Sequence, residues 1–267
     1  MAAASAMLIL GIAVLFPTPA DAQASPSEDW QFRAAIYGYL PSVGGSSAFP
    51  SSGTSIDVSA DAIISSLKFV FMGTFEAQRG SWGGFTDVLY VDLGQSKSGT
   101  RDLMIGGSQI PQGITADASL DIEGWLWTLA GQYEALSTPI ANLDVFAGTR
   151  LLSLKEKFDW AFSADVGPFV GTGRQGISQE TLENLDGIVG IKGRLIGPGH
   201  RWFVPYYFDV GTGDSQFTWQ GVLGIGYALG WGEVIAAWRY VDYDFKTGTI
   251  IESLDLNGPG VAIAFRW

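Results

Sequence analysis

The last seven residues, Val261-Ala262-Ile263-Ala264-Phe265-Arg266-Trp267, alternate without a break between two faces. Val261, Ile263, Phe265 and Trp267 share one face, and Ala262, Ala264 and Arg266 share the other. Unbroken alternation is the mark of a strand, whose successive side chains point to opposite sides of a sheet. A soluble protein rarely leaves its final strand apolar at every second position and ends it on a bare Trp. A transmembrane β-barrel has to, because one face meets lipid and the last strand must close the sheet against the first.

The other end of the chain agrees. Met7 to Phe16 (MLILGIAVLF) is an apolar run of signal-peptide length, too short to span a bilayer. Ala20-Asp21-Ala22 supplies a small-x-small cleavage site, so residues 1–22 are expected to be a signal peptide and residues 23–267 the barrel domain. Met1 to Ala6 carries no Lys or Arg, which departs from the usual basic start of such a peptide. No Cys follows the cleavage site, which argues against a lipid-anchored lipoprotein.

Beyond residue 22 no apolar stretch reaches the roughly 18 residues a membrane helix requires. Yet the chain is 47% hydrophobic, holds 36 Gly and 10 Trp, and is only 16% charged. That mixture suits a barrel with aromatic belts, small inward residues and glycines at bends; a secreted β-sandwich is the alternative. Without Cys there is neither a disulfide framework nor thiolate chemistry. A formal charge of −12 speaks against nucleic-acid binding.

Period-2 segments recur about ten times, predicting an all-β, antiparallel up-and-down barrel of about ten strands, with eight or twelve as alternatives. Trp30, Phe32, Ala34 and Ile36 are expected outward on the first strand, and Leu67, Phe69, Phe71, Phe75 and Ala77 on the second. A short helical turn is expected between them at 59–67. The third strand, from Trp82 to Leu93, is ambiguous because Phe85, Leu89 and Val91 share a face with Asp87; a bulge near Gly83-Gly84 would resolve it. Trp125, Trp127, Leu129 and Tyr133 mark the fourth strand, and Val145, Ala147, Thr149 and Leu151 the fifth. Val189, Ile191 and Leu195 mark the sixth, followed by Trp202 to Val210 with Pro205 as a local break. Strands eight and nine carry Phe217, Trp219, Leu223, Ile225 and Tyr227, then Val234, Ala236, Trp238 and Tyr240. Short turns alternate with long Gly/Ser/acid-rich segments at about 94–118 and 157–184, which read as extracellular loops opposite periplasmic turns.

This register sends seven of the fifteen basic residues inward: Arg33, Lys68, Arg150, Lys192, Arg194, Arg239 and Arg266. The inward acids are Glu76, Glu134, Asp144 and Asp209. On the lipid side a mid-membrane Arg or Lys would cost roughly 2–4 kcal/mol, so inward placement is the consistent solution. These eleven residues are expected to form a salt-bridge network inside a narrow barrel, since eight to ten strands leave little free interior. The alternative is a small conduit with a basic lumen that favours anions.

Longer motifs carry a resemblance. The stretches Asn184-Leu-Asp-Gly-Ile-Val-Gly-Ile-Lys-Gly-Arg194, Phe208-Asp-Val-Gly-Thr-Gly-Asp-Ser-Gln-Phe-Thr-Trp-Gln220 and Trp238-Arg-Tyr-Val-Asp-Tyr-Asp244 look like a family of small, porin-like outer-membrane β-barrel proteins of Proteobacteria. Phe71-Met-Gly-Thr-Phe-Glu-Ala77 and Phe85-Thr-Asp-Val88 fit the same family. The ending, too, resembles the terminal signature of bacterial outer-membrane proteins. The resemblance implies a place in the outer membrane, with lipid and lipopolysaccharide around it. It also implies that Val261, Ile263, Phe265 and Trp267 serve as the assembly signal read by the barrel assembly machinery. No reaction comes with it, and the barrel is expected to be a monomer.

Enzymatic chemistry finds little support. Hydrolytic and acyl-transfer sites usually need a His to take and return a proton. The single His, His200, falls in a Gly197-Pro198-Gly199-His200 turn on the periplasmic side. No Gly-x-Ser-x-Gly elbow is present, and the acid pair Asp242 and Asp244 is expected to be solvated rim charge. No cofactor is expected. With one His and no Cys, only oxygen ligands for Ca²⁺ or Mg²⁺ remain, and acidic loops could share such ions with lipopolysaccharide phosphates. The role expected from the sequence is structural or surface-interacting through loops of roughly 25 residues, long enough to require a purpose.

Overall fold

The computed structural model describes residues 29–47, 54–99, 104–105, 108–109, 114–166, 169–170, 174–247 and 251–267. The expected signal peptide, residues 1–22, lies outside them. Ten strands make the wall: β1 (Trp30–Tyr39), β2 (Leu67–Arg79), β3 (Trp82–Gly99), β4 (Ile114–Ser137), β5 (Ala141–Val166), β6 (Arg174–Ile196), β7 (Trp202–Gly213), β8 (Ser215–Ala228), β9 (Glu233–Phe245) and β10 (Ile251–Arg266). Each pairs antiparallel with the next, and β10 returns to β1 through Arg33↔Arg266 to Tyr39↔Gly260. Phe32 N–H donates to the Trp267 carbonyl at 2.9 Å, and Trp267 N–H donates to that of Phe32 at 3.1 Å. The terminal strand thus closes a sheet that would otherwise carry two raw edges.

The register fixes how the barrel leans. A path of directly paired residues runs from Arg33 through Glu76, Phe85, Ala130, Gly148, Ile188, Gly211, Thr218 and Tyr243 to Leu254. Leu254 lies twelve residues before Arg266, the other partner of Arg33. Such a stagger over ten strands tilts them by roughly 35–45° and leaves an interior that side chains can largely fill.

Outward positions carry the lipid face. Ile36, Leu129, Val189, Leu223, Ile225 and Val261 are each more than half exposed with no protein neighbour to cover them. Two belts of rings bound this band. Trp30–Phe32, Phe32–Trp267, Trp82–Tyr133, Trp202–Tyr227 and Trp231–Phe265 ring the end where β1 begins and β10 finishes. Tyr90–Trp125 and Trp219–Tyr240 contribute to the other. A closed barrel with an apolar band between aromatic girdles is an outer-membrane barrel, and the end with the short turns, where β1 begins and β10 finishes, is periplasmic.

Three features differ from the sequence expectation. The described residues of the segments at 94–118 and 157–184 are strand, because β3 and β4 stay paired to Gly99↔Ala116, and β5 and β6 to Phe162↔Arg174. Above the membrane a ladder needs no apolar alternation, so composition there mimics loop. Among the described residues the extracellular side is therefore built up as a tall β-wall. Next, β3 keeps an unbroken register past Gly83-Gly84, and Phe85, Asp87 and Leu89 all point inward and are buried. The lumen accepts apolar side chains, which is why the face was ambiguous. Finally, β1 breaks at Leu40-Pro41, and Ser42–Ser47 continues along β10 as one arm of a ribbon with Thr54–Val58. The expected helical turn is α1 (Ala60–Ser66), capped by the Ser59 hydroxyl, which accepts from Ala62 N–H at 3.3 Å. Pro205 interrupts the pairing of β7 with β8 without shifting its register.

Candidate functional site

The interior is layered. Nearest the exterior, Tyr39, Met72, Leu89, Leu126, Leu152, Val241, Tyr243, Phe245 and Leu254 pack into one apolar cluster, each at most 7% exposed. Seven of the ten strands supply it. The sector under β6 to β8 is filled instead by buried polar groups: Arg150 pairs with Asp209, and Asn184 donates to Asp186, which accepts from Ser215 N–H at 3.0 Å. Together these groups pack across the lumen on its extracellular side.

Below these groups lies a cavity of about 600 Å³ that reaches the periplasmic end. Tyr39 stands at its ceiling, and Gln31, Arg33, Arg266 and Trp267 stand at its mouth. Its walls differ in chemistry. On β1 and β8 to β10 a patch of Ala35, Val222, Ile235, Ala237 and Ala262 lies between Arg33 and Arg266 at the mouth and Gln220 and Arg239 further in. β2 to β6 present Glu76, Asp87, Glu134, Asp144, Lys192 and Arg194.

Three clusters organise the charges. At the mouth, Glu233 meets three guanidinium groups: Arg194 at 2.7 Å, Arg266 at 3.1 Å and Arg33 at 3.4 Å. The Arg194 guanidinium also lies over the Phe203 ring, 4.6 Å from its centroid. Further in, Lys192 pairs with Glu76 at 2.8 Å and approaches Asp144 only to 3.9 Å. Higher still, Arg239 pairs with Asp87 at 2.9 Å and donates to Tyr37 Oη and Gln220 Oε1, both at 3.0 Å. Tyr37 in turn donates to Asp87 at 2.7 Å.

The sequence-derived lumen set is distributed as follows. Arg33, Glu76, Glu134, Asp144, Arg150, Lys192, Arg194, Asp209, Arg239 and Arg266 face inward. Arg194 meets Glu233 and Arg239 meets Asp87, both acids missing from the sequence-derived set. Either could have been found by parity: Glu233 is six residues before inward Arg239, and Asp87 is two after Phe85.

Lys68 is a correction. A register shift between Leu67↔Leu93 and Phe69↔Asp92 leaves Lys68 as the extra residue of a bulge, and it turns to the outer wall. There it pairs with Asp121 at 2.5 Å. Asp242 and Asp244 also face out; Asp242 accepts from Tyr240 Oη at 3.2 Å and lines no cavity. His200 is exposed in its turn at φ 56°. Among the described residues no three acids or histidines are grouped to hold a metal ion.

No protein-family model and no curated protein sequence matches this chain. Among solved structures it is similar to the TodX deltaS2S3 mutant monoaromatic hydrocarbon channel, at 8% identity over 90% of this chain and 91% of that one, with TM-score 0.36. The P. putida toluene transporter TodX matches at 9% identity, 92% and 90% coverage and TM-score 0.27. The outer membrane protein OpdK of Pseudomonas aeruginosa matches at 9% identity, 91% and 100% coverage and TM-score 0.23.

Proposed function

We propose that this outer-membrane barrel is non-enzymatic and does not conduct as an open pore. Its lumen is a vestibule entered from the periplasm and shut toward the exterior, and its tall extracellular wall serves an envelope or surface-interaction role. The observation that carries this reading is the apolar cluster from Tyr39 to Leu254, backed by the Arg150–Asp209 sector. Dry apolar packing excludes water and therefore ions. The test is planar-bilayer conductance of the purified barrel. A silent bilayer is expected, whereas a sizeable steady current would overturn the reading.

A second reading, a small porin-like channel, draws on one observation: the cavity already occupies the periplasmic part of the lumen. It requires the apolar layer to move aside, and a brief, flickering current would be its sign.

A further inference from the structure

Every guanidinium and ammonium group that lines the vestibule has a carboxylate partner among the described ion pairs, but not every carboxylate has a cation. Glu134 on β4 lies directly opposite Asp144 on β5, and Asp144 directly opposite Lys192 on β6. Adjacent like charges repel, so this row needs positive charge across it. Lys192 supplies it only in part, as the 3.9 Å partner of one Asp144 oxygen. Its ammonium crosses to Glu76 at 2.8 Å, over the Phe85 ring at 4.8 Å, and stays 3.9 Å from Asp144.

The consequence shows in the acceptors. Asp144 is 4% exposed, and its Oδ1 has no donor although the residue lines the cavity. Gln132 shares the inward face of β4 with Glu134; it spends its amide N–H on Glu76 at 2.7 Å and leaves Oε1 buried with no donor. Glu134 enters no ion pair among the described residues. Buried acceptors without donors are costly unless a donor reaches them.

We propose that Glu134 and Asp144 form a subsite for the ammonium group of a small organic amine that enters from the periplasm. This rests on the reading of the lumen as a periplasm-facing vestibule. A primary ammonium brings one positive charge and three N–H donors to acceptors that lack them. Its carbon chain finds the opposite wall of Ala35, Val222, Ile235 and Ala262. A divalent cation fits less well, because it takes about six or more oxygen ligands and the third nearby carboxylate, Glu76, is already held by Lys192.

The experiment is calorimetric titration of the full, folded barrel in detergent with n-butylammonium, sodium butyrate and magnesium, each alone. Saturable binding of n-butylammonium is expected, weakened at least tenfold by Asp144→Asn and severalfold by Glu134→Gln, and unchanged by Asp242→Asn on the outer wall. Heat-modifiable gel mobility confirms that each variant is folded; if Asp144→Asn does not fold, Glu134→Gln and the wild-type comparison of the three probes decide. The proposal is overturned if n-butylammonium does not saturate, if both carboxylate variants bind it as wild type does, or if butyrate or magnesium binds in its place. Conductance of the same preparation keeps the two readings apart: current together with amine binding overturns only the sealed lumen, and silence without binding overturns only the amine subsite.

Discussion

Arg150 and Asp209 pair across the lumen from β5 to β7 with neither side chain exposed at all. Two charges removed from water gain little net stability from each other, but a lone survivor of such a pair is strongly unfavourable. Arg150 also reaches the Thr218 hydroxyl at 3.5 Å, so the pair ties three strands under the seal.

Breaking this pair is therefore expected to destabilise the barrel far more than replacing it. Asp209→Ala should cost about 3–5 kcal/mol, and the double change Arg150→Met with Asp209→Leu should recover most of that. Urea titration in lipid vesicles measures both. Equal loss in the single and double variants would show that the charges themselves are needed.

The mouth cluster makes a graded prediction. Glu233 is nearly buried and meets three guanidinium groups, while the Arg266 side chain is half exposed. Glu233→Gln leaves a net positive mouth and should cost about 3 kcal/mol, near the value for a partner removed from a buried pair. Arg266→Gln should cost only about 0–1 kcal/mol, as exposed pairs do. The order of the two unfolding midpoints is the readout, and a reversed order would contradict the assigned geometry.

The seal can be tested by emptying it. Leu126 and Leu152, each 2% exposed, face each other across the β4–β5 ladder within the apolar cluster. Leu→Ala at either site should cost about 2–5 kcal/mol through lost burial and a residual cavity. If this cluster is what blocks ions, the double variant should also raise bilayer conductance above that of the wild type. A double variant that folds and stays silent would shift the block elsewhere.

The contrast between these layers explains what the sequence could disclose. Wherever one face meets lipid and the other meets charge, as on β1, β5 and β7, alternation reveals direction: Arg33, Arg150 and Asp209 are inward because Phe32, Thr149 and Phe208 are outward. The signal fails where both faces are apolar, and Phe85 and Leu89 beside Asp87 hid an apolar lumen that composition does not distinguish from a lipid face. It fails again above the membrane, where Lys97↔Ala118 and Gln179↔Lys157 pair in ladders whose residues obey no apolar rule. Lys68 was misplaced by a single bulged residue, since one insertion reverses parity locally. Glu233 was hidden beside the Gly230-Trp231-Gly232 turn, where a charge reads as rim.

Closure at the seam makes the last prediction. Trp267 exchanges both backbone hydrogen bonds with Phe32, and its ring lies 5.9 Å from that of Phe32 and 6.5 Å from that of Phe75. Trp267→Ala keeps the backbone pair and removes the ring contacts, so about 0.5–1.5 kcal/mol of stability per ring pair should be lost in vesicles. Deleting Trp267 removes the backbone pair as well and should leave Phe32 N–H and C=O at an open edge. The deletion is therefore expected to fold into vesicles more slowly and less completely than Trp267→Ala, as followed by heat-modifiable gel mobility. Equal folding of the two variants would mean that the seam is held by Arg33↔Arg266 to Tyr39↔Gly260 alone, and that the terminal residue acts only through its ring.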